Sequence, residues 1–151
     1  MRALILILLF NTLTACGGRQ PFQPVPDAYL LWTKQGSSIL DTRKALLECG
    51  MASPGSPALP PRDPRTPDQL AAAENCMMAA GFKSAQPSHR MCAAQPNLSA
   101  CRPDATPTLP SVARRLSSNY CKAEQDIELC RQTSSNPSAC TPGPVEPECL
   151  P

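Results

Sequence analysis

The stretch TPDQLAAAENCMMAAGF, residues 66–82, reads as one helix complete with its start and stop signals. Thr66 is a capping residue, Pro67 suits the first helical position, and Gln69 stands where a capping box needs a polar side chain. Leu70, Ala73, Met77 and Ala80 recur at helical spacing, with Cys76 on the edge of the stripe. Gly81 supplies a left-handed stop and Phe82 the apolar contact that follows it. Residues 38–49 repeat the plan. Ser38 caps, Asp41 takes the box position, and Gly50 and Met51 end the helix. Its expected inward face is Ile39, Leu46 and Cys49, interrupted by Arg43. Two helices of one plan, each with a Cys near its end, predict a pair over about 38–49 and 67–80 stapled by Cys49–Cys76. An Ala-rich stripe permits close packing, and the bridge compensates for the small area it buries.

Outward from this pair the chain turns irregular. Residues 53–67 carry six Pro, a density that no helix or central strand tolerates. A P-x-x-P pattern is present there, but a semi-rigid connector explains it without a partner. Further on, residues 92–103 and 130–142 form a weak repeat. Each has a Cys, an Asn/Pro loop, then Ser-Ala-Cys-x-Pro. The segment between Cys121 and Cys130 looks helical. In one continuous helix, residues nine apart point to opposite sides, so these two cysteines would need other partners, Cys140 and Cys149 being candidates. If the segment is not a helix, a local loop closure is equally open. Residues 141–151 are Pro-rich and expected to be extended.

Composition sets the class. The chain has 151 residues, 19 Pro and nine Cys, but only three Phe, two Tyr and one Trp. Large aromatics supply much of the area a small core buries, so this core is expected to be thin and held by covalent links. The fold class expected is small, mainly α, loop-rich and disulfide-stapled: the helix pair plus a Cys-rich, Pro-rich C-terminal part. The formal charge of +2 is spread along the chain, unlike the basic stripe of a nucleic-acid binder. No C-x-x-C exists, so neither a zinc knuckle nor a thioredoxin-type pair is expected, and His89-x-x-Cys92 is too little for a metal site. We therefore expect no metal, no cofactor other than a covalent lipid, and no nucleic-acid partner.

The remaining signal is at the N-terminus. Met1-Arg2 gives a positive start, residues 3–10 (ALILILLF) are an unbroken apolar run, and a more polar stretch ends in small residues at Ala15. That is the plan of a secretory leader, too short to span a bilayer, which needs about 20 residues. Leu13-Thr14-Ala15-Cys16 resembles the lipobox of bacterial lipoproteins. The resemblance implies that Leu13, Thr14 and Ala15 are read by the signal peptidase. It also implies that Cys16 becomes the lipidated first residue, and that Gly17 after it directs the product to the outer membrane. With Cys16 taken by lipid, eight cysteines remain: Cys49, Cys76, Cys92, Cys101, Cys121, Cys130, Cys140 and Cys149. An oxidising compartment makes four disulfides the default, although eight cysteines allow 105 pairings. The expected organisation is a signal peptide over 1–15, a lipidated Gly/Pro tether over 16–28, a disulfide-stapled helical domain over 29–102, and a Cys/Pro-rich extension over 103–151.

The body of the chain also resembles small cysteine-rich lipoproteins of Gram-negative bacteria. The shared pattern is Trp32-x-Lys34-x-Gly36, residues 45–50 (ALLECG), Cys76-Met77, Gly81-Phe82, Cys92 and Cys101. The resemblance implies an exported, lipid-anchored product but carries no known activity. No catalytic residues are expected. His89 is the only imidazole, no nucleophile elbow or phosphate loop exists, and Asp126 and Glu128 would diverge on a helix. The function expected is a non-enzymatic interaction or structural module of the cell envelope. Its partners would be the membrane, through the lipid, and an envelope or surface protein. A phage-type lysis or exclusion lipoprotein is the alternative, and a small periplasmic enzyme the weaker one. Tyr29 and Trp32, just past the tether, are candidates for exposed contacts, with a place in the sparse core favoured.

Overall fold

The computed structural model describes residues 26–55, 65–141 and 143–151. Among them are six α-helices: α1 (Ile39–Glu48), α2 (Pro67–Ala79), α3 (Met91–Ala94), α4 (Val112–Leu116), α5 (Asn119–Gln125) and α6 (Ile127–Thr133). Five short 3-10 turns connect them. The two described strands, β1 (Trp32–Thr33) and β2 (Lys83–Ser84), form one antiparallel pair with Trp32 opposite Ser84. The chain is thus mainly helical, loop-rich and crosslinked, as its sequence predicts. No helix among the described residues is long and apolar enough to cross a membrane.

The predicted helix pair is present with both capping boxes. The Ser38 Oγ accepts from the Asp41 N–H, and the Asp41 carboxylate accepts from the Ser38 N–H at 2.8 Å. At α2, Thr66 and Gln69 exchange the same two bonds. Both helices also end alike. Gly50 (φ 88°) donates to Leu47 O and Met51 to Leu46 O. Gly81 (φ 87°) donates to Met78 O and Phe82 to Met77 O. These bonds satisfy carbonyls that a helix end leaves open, and the left-handed backbone at the turn favours glycine.

The Cys49–Cys76 bridge joins the two helix ends, with a Cα–Cα distance of 5.5 Å. Around it packs the first core cluster: Ala28, Trp32, Ala45, Leu46, Met77 and Phe82. Trp32 is 7 % exposed and belongs to this core, with its small remaining surface lining an open depression. The expected inward stripe of α1 needs correction, because Ile39 is 62 % exposed. The buried face runs instead through Thr42, Ala45, Leu46 and Cys49. Leu47, one residue round the helix, is also fully buried, in a second cluster with Cys121 and Cys149. Helix α1 is therefore covered on two sides, and residues from the 103–151 segment form the second cover.

A further correction concerns residues 121–130. They are not one helix. The backbone leaves the helical region at Asp126 (φ −126°, ψ 102°), where α5 ends and α6 begins. Asp126 caps α6 by accepting from Glu128 and Leu129 N–H, the local competition that makes Asp poor inside helices and good at their starts. Cys121 pairs with Cys149, and Cys130 with Cys140. Cys92 closes on Cys101. The weak sequence repeat is thus a structural one. In each copy a short helix carries the first Cys, a 3-10 turn leads to the second, and a local bridge closes the loop.

The four bridges fall into two classes. Cys49–Cys76 and Cys121–Cys149 are buried and enclose 27- and 28-residue separations. Cys92–Cys101 and Cys130–Cys140 close separations of 9 and 10, and Cys92, Cys101 and Cys130 are partly exposed. Thiol–disulfide exchange needs access to sulfur. Limited reduction of the folded protein is therefore expected to open the two local bridges first. Alkylation followed by peptide mapping checks this, and early labelling of Cys49 or Cys149 would contradict it.

Candidate functional site

The lipobox residues Leu13, Thr14, Ala15 and Cys16 lie outside the described residues, so their geometry is not described. The other sequence candidates can be placed. His89 is exposed on the 3-10 turn Pro87–His89, where its Nδ1 lies 3.1 Å from the Gln86 Oε1. Asp126 is spent on capping, and Glu128 meets the Gln132 amide at 3.2 Å. Among the described residues there is no group of three or more His, Cys, Asp or Glu positioned to hold a metal ion.

The fold concentrates its ionisable groups elsewhere, at the seam between α1 and the C-terminal segment. Glu148, on the 3-10 turn Pro147–Cys149, is fully buried. Its carboxylate pairs with the Arg43 guanidinium and accepts from the Tyr120 hydroxyl at 2.9 Å. Arg115 on α4 is 2 % exposed. It pairs with Glu48 at 3.1 Å and donates to the backbone carbonyls of Glu148 and Leu150. Its neighbour Arg114 donates to the Glu48 carbonyl, and Ser111 N–H reaches the same oxygen at 3.2 Å. Arg65 donates to the Gly50 carbonyl at 3.0 Å. The carbonyl-rich end of α1 is thereby met by cations, as the helix dipole favours.

Why these charges are buried follows from their pairing. An ion taken out of water costs several kcal/mol unless a partner and hydrogen bonds compensate. Burial works against the Arg43 charge, but Glu148 beside it and the Tyr120 hydroxyl more than offset this and raise its pKa. The Tyr120 hydroxyl is pushed well above the ordinary value of 10.0, by burial first and by Glu148 second. It stays neutral and donates. Arg43 also lies over the Tyr29 ring, with Cζ 5.9 Å from the centroid. The polar atoms of this seam are engaged mainly with one another, which makes it a lock between segments.

A second polar seam holds residues 87–102 on α2. Asp68 accepts from the Ser99 hydroxyl and the Ala100 N–H, which together lower its pKa. Asn75 donates to Ala100 O, and Glu74 accepts from Met91 N–H at 2.8 Å. Sequence reading missed both seams. The only cue was the pair of misplaced charges, Arg43 in an apolar stripe and Glu148 beside Cys149.

Comparison with known proteins yields no family model, curated protein or solved structure that matches this chain.

Glu148→Ala leaves Arg43, itself 29 % exposed and beside Glu146, to water, but strips the Tyr120 hydroxyl of its acceptor. It is expected to destabilise by about 1–3 kcal/mol in denaturant unfolding. Replacing Arg43 by Met and Glu148 by Leu together should recover much of the loss. Tyr120 generates a second expectation. The stability contributed by its neutral form is complete below the unfolded value of about 10 and drains as pH climbs through the raised native value. Ultraviolet titration of the native protein should show Tyr120 ionising only as the fold opens, and Tyr120→Phe should remove that step.

Proposed function

We propose that the chain is a lipid-anchored protein of the bacterial cell envelope, on the outer membrane, acting as a non-enzymatic interaction or structural module. The observation that carries this is the odd cysteine. Nine are present, and the eight in the folded part pair with one another. The ninth, Cys16, has no cysteine left in the chain and follows Leu13-Thr14-Ala15 at the end of an apolar leader. A thioether to diacylglycerol is the chemistry that such a position serves. Two or more acyl chains give stable anchoring where one gives only marginal binding, each buried methylene adding about 0.8 kcal/mol. Four disulfides suit the oxidising side of a membrane. The mutual engagement of Arg43, Arg115, Glu48, Glu148 and Tyr120 supports a scaffold rather than a reacting centre.

Intact mass measurement on the membrane fraction tests the proposal. The expected species is residues 16–151 plus acyl chains on Cys16, gaining eight protons when the four bridges are reduced. Cys16→Ser should leave the leader uncleaved and the lipid mass absent. A wild-type chain found full-length, unacylated and in the soluble fraction would overturn it.

A further inference from the structure

Scattered exposed apolar side chains are ordinary on protein surfaces. Leu30 and Ile39 are not scattered. They are 54 % and 62 % exposed and line one open depression with Tyr29, Trp32, Lys34 and Thr42. Ile39 is one of two isoleucines in the folded part. A core that fills much of its space with alanine and cystine leaves it in water, although the sequence pattern would have turned it inward. At about 250 Å³ the depression is below the range that encloses a drug-sized molecule. It is open, and its rim mixes Leu30 and Ile39 with the hydroxyls of Thr33, Ser37 and Ser38, an amphipathic lining that fits a broad surface instead.

The place of this face in the chain indicates which surface. The 3-10 turn Ala28–Leu31 follows directly on the tether, and Pro26 is ten positions beyond Cys16. Ten residues reach at most about 35 Å when fully extended. A lipid on Cys16 would therefore keep Pro26 within that distance of the bilayer, and with it the side of the domain where the turn carrying Leu30 begins. Contacts too weak to bind from solution become effective when a short tether makes them intramolecular. Charge does not select the bilayer here: Lys34 lines the depression but donates to Ala80 O, and the Asp41 carboxylate keeps its charge in the capping box, so the apolar side chains would carry the contact.

We propose that Leu30 and Ile39 form a membrane-contact face that seats the folded domain on the headgroup layer of the bilayer in which Cys16 is anchored. The inference rests on the lipid anchor proposed above. The domain would then lie against the membrane in one orientation, with the α2 and residue 87–102 side turned to other partners.

Trp32, the single tryptophan, lines the same depression and is a built-in reporter. The full chain is purified from cells and weighed to establish whether Cys16 carries lipid. It is then reconstituted into phosphatidylethanolamine–phosphatidylglycerol vesicles in which part of the lipid is brominated high on the acyl chain. Bromine quenches tryptophan only at short range. The expected result is a lipidated chain whose Trp32 emission is largely lost, with the loss reversed in Leu30→Glu/Ile39→Glu while flotation with the vesicles persists. Retention of all four disulfides and of helical circular dichroism shows that this variant folds. A lipidated, floating chain with unquenched Trp32 overturns the contact face and leaves the anchor standing, and a dimer through this face would give the same unquenched signal. An unlipidated chain with unquenched Trp32 overturns both. Quenching without lipid would overturn the anchor and, with it, a contact face held in place by that anchor.

Discussion

Everything in the folded part leans on one ten-residue helix. Helix α1 places Leu46 in one hydrophobic cluster and Leu47 in another, so adjacent side chains, about 100° apart round the helix, are buried against different covers. A surface helix normally presents one apolar stripe. Here the first cover is α2, fixed by Cys49–Cys76, and the second is the C-terminal segment, fixed by Cys121–Cys149. The polar side chains of α1 are drawn into the same arrangement. Arg43 and Glu48, which would be solvated on a helix covered once, meet Glu148 and Arg115 because the second cover lies over them.

The division of labour between forces follows from composition. Few large apolar side chains are available, so hydrophobic burial alone is weak. Each long-span bridge, by the loop-entropy estimate, contributes about 3–4 kcal/mol by restricting the unfolded chain. The ion pairs do something different. A buried pair contributes little net stability against an apolar substitute, yet a mismatched one is strongly penalised. Glu148 and Arg115 therefore act chiefly on the register of residues 145–151 over α1, while the disulfide supplies the strength.

The sequence made the local elements legible and the long-range seams illegible, for physical reasons. Caps, glycine stops and helical spacing involve residues at most a turn or two apart, so Ser38, Asp41, Thr66, Gln69, Gly50 and Gly81 announced both helices and, by their parallel plan, the bridge between them. Arg43 could be read only as a flaw in a stripe, because the carboxylate that makes sense of it lies 105 positions away. Ile39 was assigned inward because spacing cannot distinguish a core face from an exposed apolar one. The Asp126 break was missed because helix-favouring neighbours masked a residue that prefers to start a helix. The repeat of Ser-Ala-Cys-x-Pro was visible, but only the structure gives each copy its own local bridge.

This construction ties folding to redox conditions. With reduced cysteines, α1 would have to hold two covers with Trp32, Phe82 and mostly small or aliphatic groups. The ionic seam could not substitute, since its charges reach favourable geometry only after the covers are in place, and before that they are better solvated by water. Covalent closure must then come with or ahead of ionic pairing. The buried pairing of Glu148 is a consequence of the bond one residue away at Cys149, and that bond forms only where thiols are oxidised.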